Sequence, residues 1–586
     1  MYGEQPIGGG SSPVFPFRRN LRPPTATRLN TAMQWRRAFT TSVARLNQNA
    51  TAKSRVLRCA QILQSGKGAP CSLEDQEIKV NGFIRSLRKQ KKIAFAGVSD
   101  GSTVELVQAL MKPELAADLS TGSAVTMTGI WKASPPGKTQ THELEVTSVE
   151  IAGALDPEVG SFLCAAPGRI HRLIVQSQSQ TYPIQPKYQS PDFLRQIPHL
   201  RLRTPLNSVF ARFRSECLFQ LGNVFHSYPN GGFAQVQPPI ITSSDCEGAG
   251  ETFTLLPRGA TADTETDHFF RSPKYLTVSS QLHLEAYAAE LGNVWTLTPV
   301  FRAEKSDTPR HLSEFYMLEA EANFMSDLDA LTGQVEYLLR DLTRRLYDTT
   351  AGQDVLSFNR SPDGKKPDPE AEASLRQRWS TLMDGPQWHR VTYAKAIEML
   401  QRAVAEDGAS FEYPPTWDGG LQLEHEKYIV EVLFQGTPVF VTDYPKAVKP
   451  FYMAPSHVGD GNAEQSSTSS ETVACFDLLF PEVAEVAGGS LREHRLPNLI
   501  KNMREHGLIK PRAFDPEDVP TEPLYPHLSP TEDLSNLQWY ADLRRWGSVP
   551  HGGFGLGFDR FLGYLSGVSS VRDVVAFPRY FGRADC

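Results

Sequence analysis

The stretch from residue 301 to residue 321, FRAEKSDTPRHLSEFYMLEAE, contains the pattern that decides the fold. Both of its ends alternate in the manner of β-strands, which send successive side chains to opposite faces. Its centre is polar and basic. The stretch therefore predicts two antiparallel strands joined by a basic loop, with fixed cations held over a sheet. Such cations suit a phosphate group that undergoes in-line displacement, but a hairpin with ion pairs across its strands fits the same pattern.

The stretch from residue 551 to residue 567, HGGFGLGFDRFLGYLSG, is the second informative segment. Its glycines precede Arg560, which enters an apolar helix. Glycine lets a ligand or another backbone approach closely, and an arginine at this place could meet a nucleotide by stacking and by charge. The segment lacks the GK[ST] ending of a P-loop and does not match GxGxxG. A tight turn without any ligand is therefore the alternative.

Length and composition favour a multidomain protein. The chain has 586 residues, of which 40% are hydrophobic, and this length suits roughly two to four domains. No apolar run reaches the ~18 residues that span a bilayer, so we expect a soluble protein without membrane insertion. The net charge of −6 gives no global basic field for nucleic acid, although a local basic groove is compatible with it. The 7 cysteines include no CxxC pair, so we expect free thiols rather than a disulfide framework or a zinc site.

The N-terminus has a different composition from the rest of the chain. No acidic residue occurs between Glu4 and Glu74, and arginine, serine and threonine are frequent there. This composition is typical of organellar transit peptides, and the stretch 33–46, MQWRRAFTTSVARL, resembles mitochondrial presequences. We predict a disordered transit peptide over residues 1–47 and a location in the mitochondrial matrix. A disordered basic tail that touches RNA is the alternative, and the sequence does not decide between Met1 and Met33 as the start.

Short strands separated by turns follow the leader. Residues 77–111 alternate around a basic turn at 89–92 and a DGS turn, and a further strand pair is readable between residues 124 and 153. About five short strands in this span predict a small Greek-key barrel, which we place at 73–154. Barrels of this kind bind single-stranded nucleic acid on an open face through aromatic and basic side chains.

The rest of the chain alternates between helical and strand patterns. Residues 155–200 are rich in proline, glutamine and serine with weak periodicity, which predicts a linker or hinge. Residues 201–586 predict one large mixed catalytic domain. Two polar stretches within it, 359–376 and 456–471, have the composition of surface insertions.

Taken together, these motifs resemble a known enzyme family. FRAE…RHLSEF…LEAE resembles motif 2 of the class II aminoacyl-tRNA synthetases, GFGLGFDRF resembles their motif 3, and the stretch 233–253 is similar to motif 1, with Pro239 at a dimer interface. The barrel looks like the anticodon-binding domain of the aspartyl, asparaginyl and lysyl branch. The resemblance implies an α+β protein: an N-terminal OB-fold β-barrel and a class II catalytic domain built on an antiparallel sheet flanked by helices. It also implies a homodimer.

Within that branch the sequence is most similar to the asparaginyl enzymes. The stretches DCEGAGE, YLTVSSQL, DYPKAVKPFYM and EVAGGSLRE look like asparaginyl signatures. Aspartyl enzymes carry a lysine three residues after the glutamine that corresponds to Gln281, and this lysine meets the substrate carboxylate. Leu284 stands there in this chain. A buried site without that cation favours a neutral amide, because an unpaired buried charge is costly. Glu319, where aspartyl enzymes carry aspartate, points the same way.

The resemblance also implies residue roles. Arg302 and Arg560 would be catalytic. ATP would be bound by Arg302, Glu304, Arg310, His311, Phe315, Glu485 and Arg560. The amino acid would be bound by Glu247, Ser279, Gln281, Arg302, Glu319 and Arg492. Mg²⁺ would be held by Asp477 and Glu485, since hard oxygen ligands and ATP phosphates suit this ion. The tRNA anticodon would be bound by Arg85, Phe95 and Gln108. Each of these residues could instead be structural, and a core position is the alternative for Phe95.

The expected function is that of an asparagine–tRNA ligase, which joins asparagine and ATP into an adenylate and transfers asparagine to tRNA(Asn) for mitochondrial translation. Two alternatives stay open. One is an aspartate–tRNA ligase of the same branch, against which Leu284 and Glu319 argue. The other is an RNA-binding paralogue without catalysis, although every motif arginine and both magnesium carboxylates are present. Asp559 stands where glutamate is usual, which leaves the exact geometry beside Arg560 open.

Overall fold

A computed structural model describes most of the chain. The described residues are 56–67, 73–138, 140–155, 182–184, 187–229, 231–243, 252–259, 268–358, 368–456, 472–515 and 520–586. The predicted leader over 1–47 and the candidate Glu247 lie outside them. The chain divides into two compact units, Met1–Asp156 and Pro157–Cys586. Among the described residues no helix combines the length and the apolar character needed to cross a membrane.

The N-terminal unit is a closed barrel. Its elements are β1 (Val56–Leu57), α1 (Cys59–Lys67), β2 (Glu77–Lys89), β3 (Ala94–Ser99), β4 (Val107–Met111), β5 (Ala124–Ala133) and β6 (His142–Gly153). Strand β2 pairs with β3, β3 with β4, β4 with β6, β6 with β5, and β5 again with β2. Only β4 and β6 run parallel within this ring. The barrel predicted over this region is confirmed.

Alternation along the strands separates the barrel core from its surface. In β2 the side chains of Ile78, Val80 and Ile84 are buried, and the residues between them are more exposed. This period of two is what a sheet with one buried face requires. In β3, Ala94 and Ala96 are buried while Phe95 between them is half-buried. Phe95 therefore does not belong to the barrel core, which was the alternative to a role on the surface.

The C-terminal unit is built on one large sheet. Its strands are β7 (Ala234–Gln235), β8 (Ile241–Thr242), β9 (Tyr275–Leu276), β10 (Val294–Phe301), β11 (Glu314–Asn323), β12 (His389–Thr392), β13 (Val439–Pro445), β14 (Thr472–Phe480), β15 (Ala484–Leu491), β16 (Lys510–Pro511), β17 (Glu532–Asp533) and β18 (His551–Gly557). Of these strands of the unit, eight form the large sheet, in the order β12-β13-β14-β15-β18-β11-β10-β7. Strands β13 to β10 in this order are antiparallel, and only the two outer pairings are parallel. The predicted antiparallel sheet is confirmed.

Helices flank this sheet. They are α2 (Pro191–Gln196), α3 (Pro198–Arg201), α4 (Pro205–His226), α5 (Gln281–Leu291), α6 (Leu328–Tyr347), α7 (Thr350–Ser357), α8 (Pro369–Asp384), α9 (Tyr393–Glu406), α10 (Leu423–Tyr428), α11 (Leu496–Glu505), α12 (Gln538–Arg545) and α13 (Phe558–Ser566). Helix α5 begins at Gln281 beside the sheet and ends at Leu291, and its C-cap Gly292 has a φ of 81°, which suits glycine.

Three local expectations differ from the structure. Strand β10 ends at Phe301, so Arg302 and Glu304 lie in the loop after it rather than in the strand. The glycine-rich stretch is not a turn, because it forms β18 in the interior of the sheet, between β15 and β11. Residues 369–376 do not belong to a surface insertion but form the first half of α8, where Leu375 packs in the core. Most of the second expected insertion, 457–471, lies outside the described residues.

Candidate active site

Glycines in β18 make room for charge on the neighbouring strand. A Cβ atom at Gly553 would overlap the carboxylate of Glu321 and the carbonyl oxygen of Ala320. Gly555 lines a cavity instead, and a Cβ there would lie 3.2 Å from the sulfur of Met317. A side chain at either position would therefore displace the buried charge or fill the cavity. This physical requirement explains the glycine pattern better than a tight turn does.

The cavity beside these glycines has a volume of about 480 Å³. Strands β11, β14, β15 and β18 and the start of α5 contribute its walls. Its lining includes seven of the predicted site residues: Ser279, Gln281, Arg302, Glu319, Asp477, Glu485 and Arg492. The five others that the structure describes in this unit do not line it: Glu304, Arg310, His311, Phe315 and Arg560. Each of these five lies close to the cavity or to its lining residues, as follows.

Arg302 is the link between the cavity and the polar loop. Its backbone N–H donates to the carbonyl of Ser313 at 3.0 Å, which continues the pairing of β10 with β11. Its guanidinium carbon lies 5.7 Å from the ring centroid of Phe315, and its Nη1 lies 4.0 Å from Oε1 of Glu304. A planar cation beside a half-buried aromatic ring can hold an anionic group and an adjacent flat base.

Further cations crowd the same end of the site. Nη2 of Arg310 donates to the carbonyl of Val483 at 2.6 Å, and Nη1 of Arg560 donates to the carbonyl of Glu485. Burial, and then the charge of Arg560, lower the pKa of Arg310. Burial also lowers the pKa of His311, although Glu304, 3.7 Å away, opposes this shift. Because the positive charges of Arg310 and Arg560 disfavour one another, an anionic ligand would stabilise them.

Asp477 and Glu485 form a carboxylate pair opposite the cations. The pairing of β14 with β15 has an irregularity between Leu478 and Leu479, and Leu479 pairs with Glu485 just beyond it. A Cβ at Gly488 would lie 3.3 Å from Oδ1 of Asp477 and 3.6 Å from Oε1 of Glu485, so both oxygens converge on one point. Oδ2 of Asp477 accepts from Nζ of Lys449 at 2.8 Å. The remaining hard oxygens are the donors that Mg²⁺ prefers.

Two neighbours of this pair were not predicted. Lys449 lies under the ring of Tyr444, and although burial alone would lower its pKa, the charge of Asp477 raises it. Burial raises the pKa of Glu426 to about 8, and the charges of Glu485 and Asp477 add to this shift. Lys449 belongs to the stretch DYPKAVKPFYM, which was quoted for its resemblance without a role for the lysine, and no local pattern marked Glu426.

At the other end of the cavity, Glu319 organises the start of α5. Its carboxylate accepts from Oγ of Ser279 at 2.5 Å and from the backbone N–H of Ser280 at 2.9 Å. The Oγ of Ser279 in turn accepts from the backbone N–H of Gln281 at 3.1 Å. Glu319 is only 2% exposed. Three predicted amino-acid ligands thus meet on one wall, at the junction of β11 and α5.

Arg492 has a buried partner that the sequence did not indicate. Its Nε and Nη2 donate to the two carboxylate oxygens of Glu321 at 3.2 and 3.0 Å, and its Nη1 donates to Oγ of Ser490 at 2.7 Å. The two side chains are 4% and 1% exposed. Although burial alone would lower the pKa of Arg492, the charge of Glu321 raises it. The pair therefore lines the cavity as a neutral unit.

Leu284 completes this end of the cavity. It is buried and lies in the lining together with Gln281, one helical turn apart on α5. The position that the sequence comparison singled out is thus part of the cavity wall, and it presents methyl groups rather than a cation.

The three predicted anticodon residues lie on the barrel. Phe95 in β3 carries the guanidinium of Arg88 at 4.7 Å from its ring centroid. Gln108 lies on the neighbouring strand β4, where it is paired with Gly97, and its Nε2 donates to Glu143 at 3.3 Å. Arg85 lies at an irregularity of β2, with its guanidinium 5.2 Å from the ring of Phe83. The barrel surface therefore combines arginines with aromatic rings, as single-stranded nucleic acid requires.

Comparison with known proteins assigns the family. The family profile described as tRNA synthetases class II (D, K and N) matches residues 190–580, and the profile of the anticodon-binding OB-fold nucleic acid binding domain matches residues 78–152. This chain belongs to the class II tRNA synthetases. The fold and the family implied by the motifs are thereby confirmed.

Relatives of this synthetase include enzymes from two yeasts. The mitochondrial asparagine–tRNA ligase of Saccharomyces cerevisiae is 37% identical over 519 residues, which cover 86% of this chain and 92% of the relative. The mitochondrial asparagine–tRNA ligase of Schizosaccharomyces pombe is 37% identical over 513 residues, which cover 86% and 94%. Among solved structures, the asparaginyl-tRNA synthetase of Pyrococcus horikoshii in complex with asparaginyl-adenylate has a TM-score of 0.64 and 27% identity, and it covers 90% of this synthetase and 98% of that chain.

Proposed function

We propose that this chain is an asparagine–tRNA ligase that serves mitochondrial translation. The observation that carries the proposal is the composition of the amino-acid end of the cavity. Leu284 supplies no charge, and Arg492, which lies at this end of the cavity, is already neutralised by Glu321. A neutral carboxamide fits such a pocket, whereas a carboxylate would be buried without a free cation. The similarity to asparagine–tRNA ligases over most of the chain supports the same substrate.

The reaction has two steps. First, an oxygen of the asparagine carboxylate attacks the α-phosphorus of ATP, and pyrophosphate leaves. Then a hydroxyl group at the 3′ end of tRNA attacks the carbonyl carbon of the adenylate, and AMP leaves. No covalent bond to the enzyme is needed, so the protein contributes positioning and charge stabilisation.

The cationic end of the site would bind ATP. Arg302 would contact the α-phosphate and the substrate carboxylate, since it lines the cavity and lies beside Phe315. Phe315 would stack on adenine, with Arg560 on the opposite face. Arg310 and His311 would contact the outer phosphates, and Glu304 would contact adenine or the tRNA end. The mutual repulsion of the half-buried Arg310 and Arg560 supports an anion at this end, because its charge would relieve the repulsion.

Asp477 and Glu485 would hold Mg²⁺. Their oxygens converge beside Gly488, and both residues line the cavity. The ion, when bound, would neutralise phosphate charge. Lys449 would keep Oδ2 of Asp477 in place, so that Oδ1 is directed toward the ion.

The amino-acid end would hold asparagine between Glu319 and Arg492. Ser279, Gln281 and Glu319 would contact the amino group or the amide, and Arg492 would contact the side-chain carbonyl. We keep Glu247, which lies outside the described residues, as a further candidate on the basis of motif similarity alone. The barrel would bind the tRNA anticodon through Arg85, Phe95 and Gln108.

Compartment and assembly are also part of the proposal. The mitochondrial relatives and the leader-like composition of residues 1–47 support the mitochondrial matrix. A homodimer through the region of Pro239 is supported by exposed apolar residues next to it: Ile240 and Ile241 are 38% and 40% exposed. Association of a second copy would cover this surface.

Aminoacylation of tRNA tests the proposed function. The purified protein is incubated with ATP, Mg²⁺, tRNA(Asn) and either labelled asparagine or labelled aspartate. We expect acid-precipitable asparaginyl-tRNA and no aspartyl-tRNA. Charging with aspartate alone would replace the proposal by the aspartate alternative. Binding of tRNA without charging by either amino acid, from folded protein, would favour the RNA-binding paralogue.

A further inference from the structure

A glutamine and a glutamate one turn apart connect the cavity to the protein interior. Gln281 is the first residue of α5 and lines the cavity, while Glu285 lies behind it, only 3% exposed. Nε2 of Gln281 donates to Oε1 of Glu285 at 3.1 Å. Residues four apart on a helix lie on the same face, which permits this contact.

Glu285 is surrounded by donors. The hydroxyl of Tyr540 donates to its two carboxylate oxygens at 2.9 and 2.8 Å, and Nη2 of Arg544 donates to Oε2 at 2.6 Å. Nε2 of His551 lies 3.1 Å from the same oxygen. Although burial alone would raise the pKa of Glu285, the charges of Arg544 and His551 lower it. Glu285 is therefore an ionised carboxylate, which can only accept hydrogen bonds.

The charged groups around Glu285 also argue against a metal ion at this place. Glu285, Glu321 and His551 place one ligand atom each within 4.8 Å of one another. The charge of Glu285 is already balanced by Arg544, and that of Glu321 by Arg492. A cation at the centre of these groups would face two buried guanidinium ions, so the cluster is an ion-pair layer behind the cavity.

The direction of the Gln281 amide follows from these contacts. An amide has a donor end and an acceptor end, and they are told apart only by their partners. Because Glu285 can only accept, Gln281 must direct its Nε2 toward Glu285. Its Oε1 is then the other end of the amide, and no donor among the described residues bonds it. Since Gln281 lines the cavity, this oxygen is an acceptor available to a ligand.

We propose that Glu285 is a positioning residue, which fixes the amide of Gln281 so that Oε1 accepts an N–H group of the bound amino acid. The proposal rests on the proposed function. The N–H group belongs either to the α-ammonium, which asparagine and aspartate share, or to the carboxamide, which only asparagine has. With the amide reversed, Nε2 would face the ligand and repel either donor.

The variant Glu285→Gln tests this role. A glutamine at 285 can donate to Oε1 of Gln281, which releases the amide of Gln281 from its fixed direction. We expect the KM for asparagine in ATP–pyrophosphate exchange to rise roughly 10- to 100-fold, as for the loss of a hydrogen bond to a charged or polar group, with the KM for ATP unchanged. The variant Glu285→Asp keeps the negative charge that the buried Arg544 requires but cannot reach Gln281, and it should raise the KM for asparagine as well.

A double-mutant cycle separates this role from a merely structural one. In a Gln281→Ala background no amide remains to be oriented, so Glu285→Gln should add little to the KM for asparagine. The matched control is Glu336→Gln, which removes another buried carboxylate bonded by two arginines, Arg340 and Arg390, outside the cavity lining. It should lower thermal stability and leave the KM for asparagine unchanged.

The outcomes are distinct. If Glu285→Gln loses affinity equally for asparagine and for aspartate as a competing ligand, Gln281 contacts the α-ammonium. If the loss is confined to asparagine, Gln281 contacts the carboxamide. Both outcomes support the proposal. The proposal is overturned if Glu285→Gln raises the KM for asparagine by the same factor in the Gln281→Ala background as in the unmodified protein. A wild-type KM for asparagine in Glu285→Asp overturns it as well. Absence of asparagine-dependent exchange in the unmodified protein refutes the proposed function itself.

Discussion

The two ends of the cavity treat charge in opposite ways. At the proposed nucleotide end, the side chains of Arg302, Glu304 and His311 are 31–41% exposed, and Glu304 lies 4.0 Å from Arg302 and 3.7 Å from His311. At the amino-acid end, Arg492 and Glu321 are 4% and 1% exposed and form two hydrogen bonds within 3.2 Å. Partly exposed basic groups suit a charged ligand such as ATP, whereas a tightly neutralised pair suits a neutral side chain.

The largest effect is expected at the nucleotide end. Arg302→Ala should reduce adenylate formation by at least about 1,000-fold, because it removes the cation that we propose contacts the reacting phosphate. Folding and the proposed dimer should be retained, since Arg302 is partly exposed and lies in a loop. Pyrophosphate exchange and analytical ultracentrifugation measure the two properties.

The control for this variant is Lys305→Ala, three residues further along the same loop, where the side chain is exposed. Its exchange rate should stay near that of the unmodified protein. Near-normal activation by Arg302→Ala would remove the central assignment at this end of the site.

The second effect concerns stability at the amino-acid end. Glu321→Gln leaves Arg492 buried without its counter-ion, so we expect a loss of roughly 3–5 kcal/mol in the free energy of unfolding. Glu314→Gln changes a half-buried carboxylate on the same strand and should cost less than about 1 kcal/mol. Urea denaturation compares the variants, and equal values for both would contradict the neutralised pair.

The charge of the pocket can also be changed directly. Leu284→Lys introduces a cation into the wall, so a carboxylate should become acceptable and use of asparagine should fall by about 10- to 100-fold in kcat/KM. Leu284→Met, which conserves volume and neutrality, is the control and should keep the preference. Aspartate use that stays nil in the lysine variant would show that this position does not discriminate between the two amino acids.

The smallest effect is expected on the barrel. Phe95→Ala should weaken tRNA charging by about 5- to 100-fold, as for the loss of one stacked base, and should spare pyrophosphate exchange. Ile151→Ala changes another exposed apolar side chain of the barrel, 38% exposed in β6, and should affect neither activity. Loss of both activities in Phe95→Ala would mean that the ring is needed for folding.

Much of the difference between the two ends of the cavity could be predicted from the sequence, but the ion pair between Arg492 and Glu321 could not. Alternation in residues 314–321 placed Glu319 and Glu321 on one face of a strand, and motif similarity located Arg492. The contact between Arg492 and Glu321 joins residues 171 positions apart, and no local period encodes such a pairing. It depends on the order of β15, β18 and β11, and on a glycine at 553 that leaves space for the carboxylate.

The same reason explains the other residues that the sequence did not indicate. Glu285 and Glu426 lie in helical segments, where a glutamate usually marks a solvated face. Only the packing of α12 and β18 against α5 shows that Glu285 meets buried donors. The glycine-rich stretch was located correctly, but its form as an interior strand follows from its neighbours in the sheet.

The most direct test of the central claim is ATP–pyrophosphate exchange by the purified protein, with asparagine and aspartate in parallel. The claim is that a neutralised amino-acid end selects the neutral amide. It predicts exchange that depends on asparagine, with no exchange above background for aspartate. Exchange supported equally well by aspartate would contradict it, because a carboxylate would then be accepted beside Leu284 and the paired Arg492.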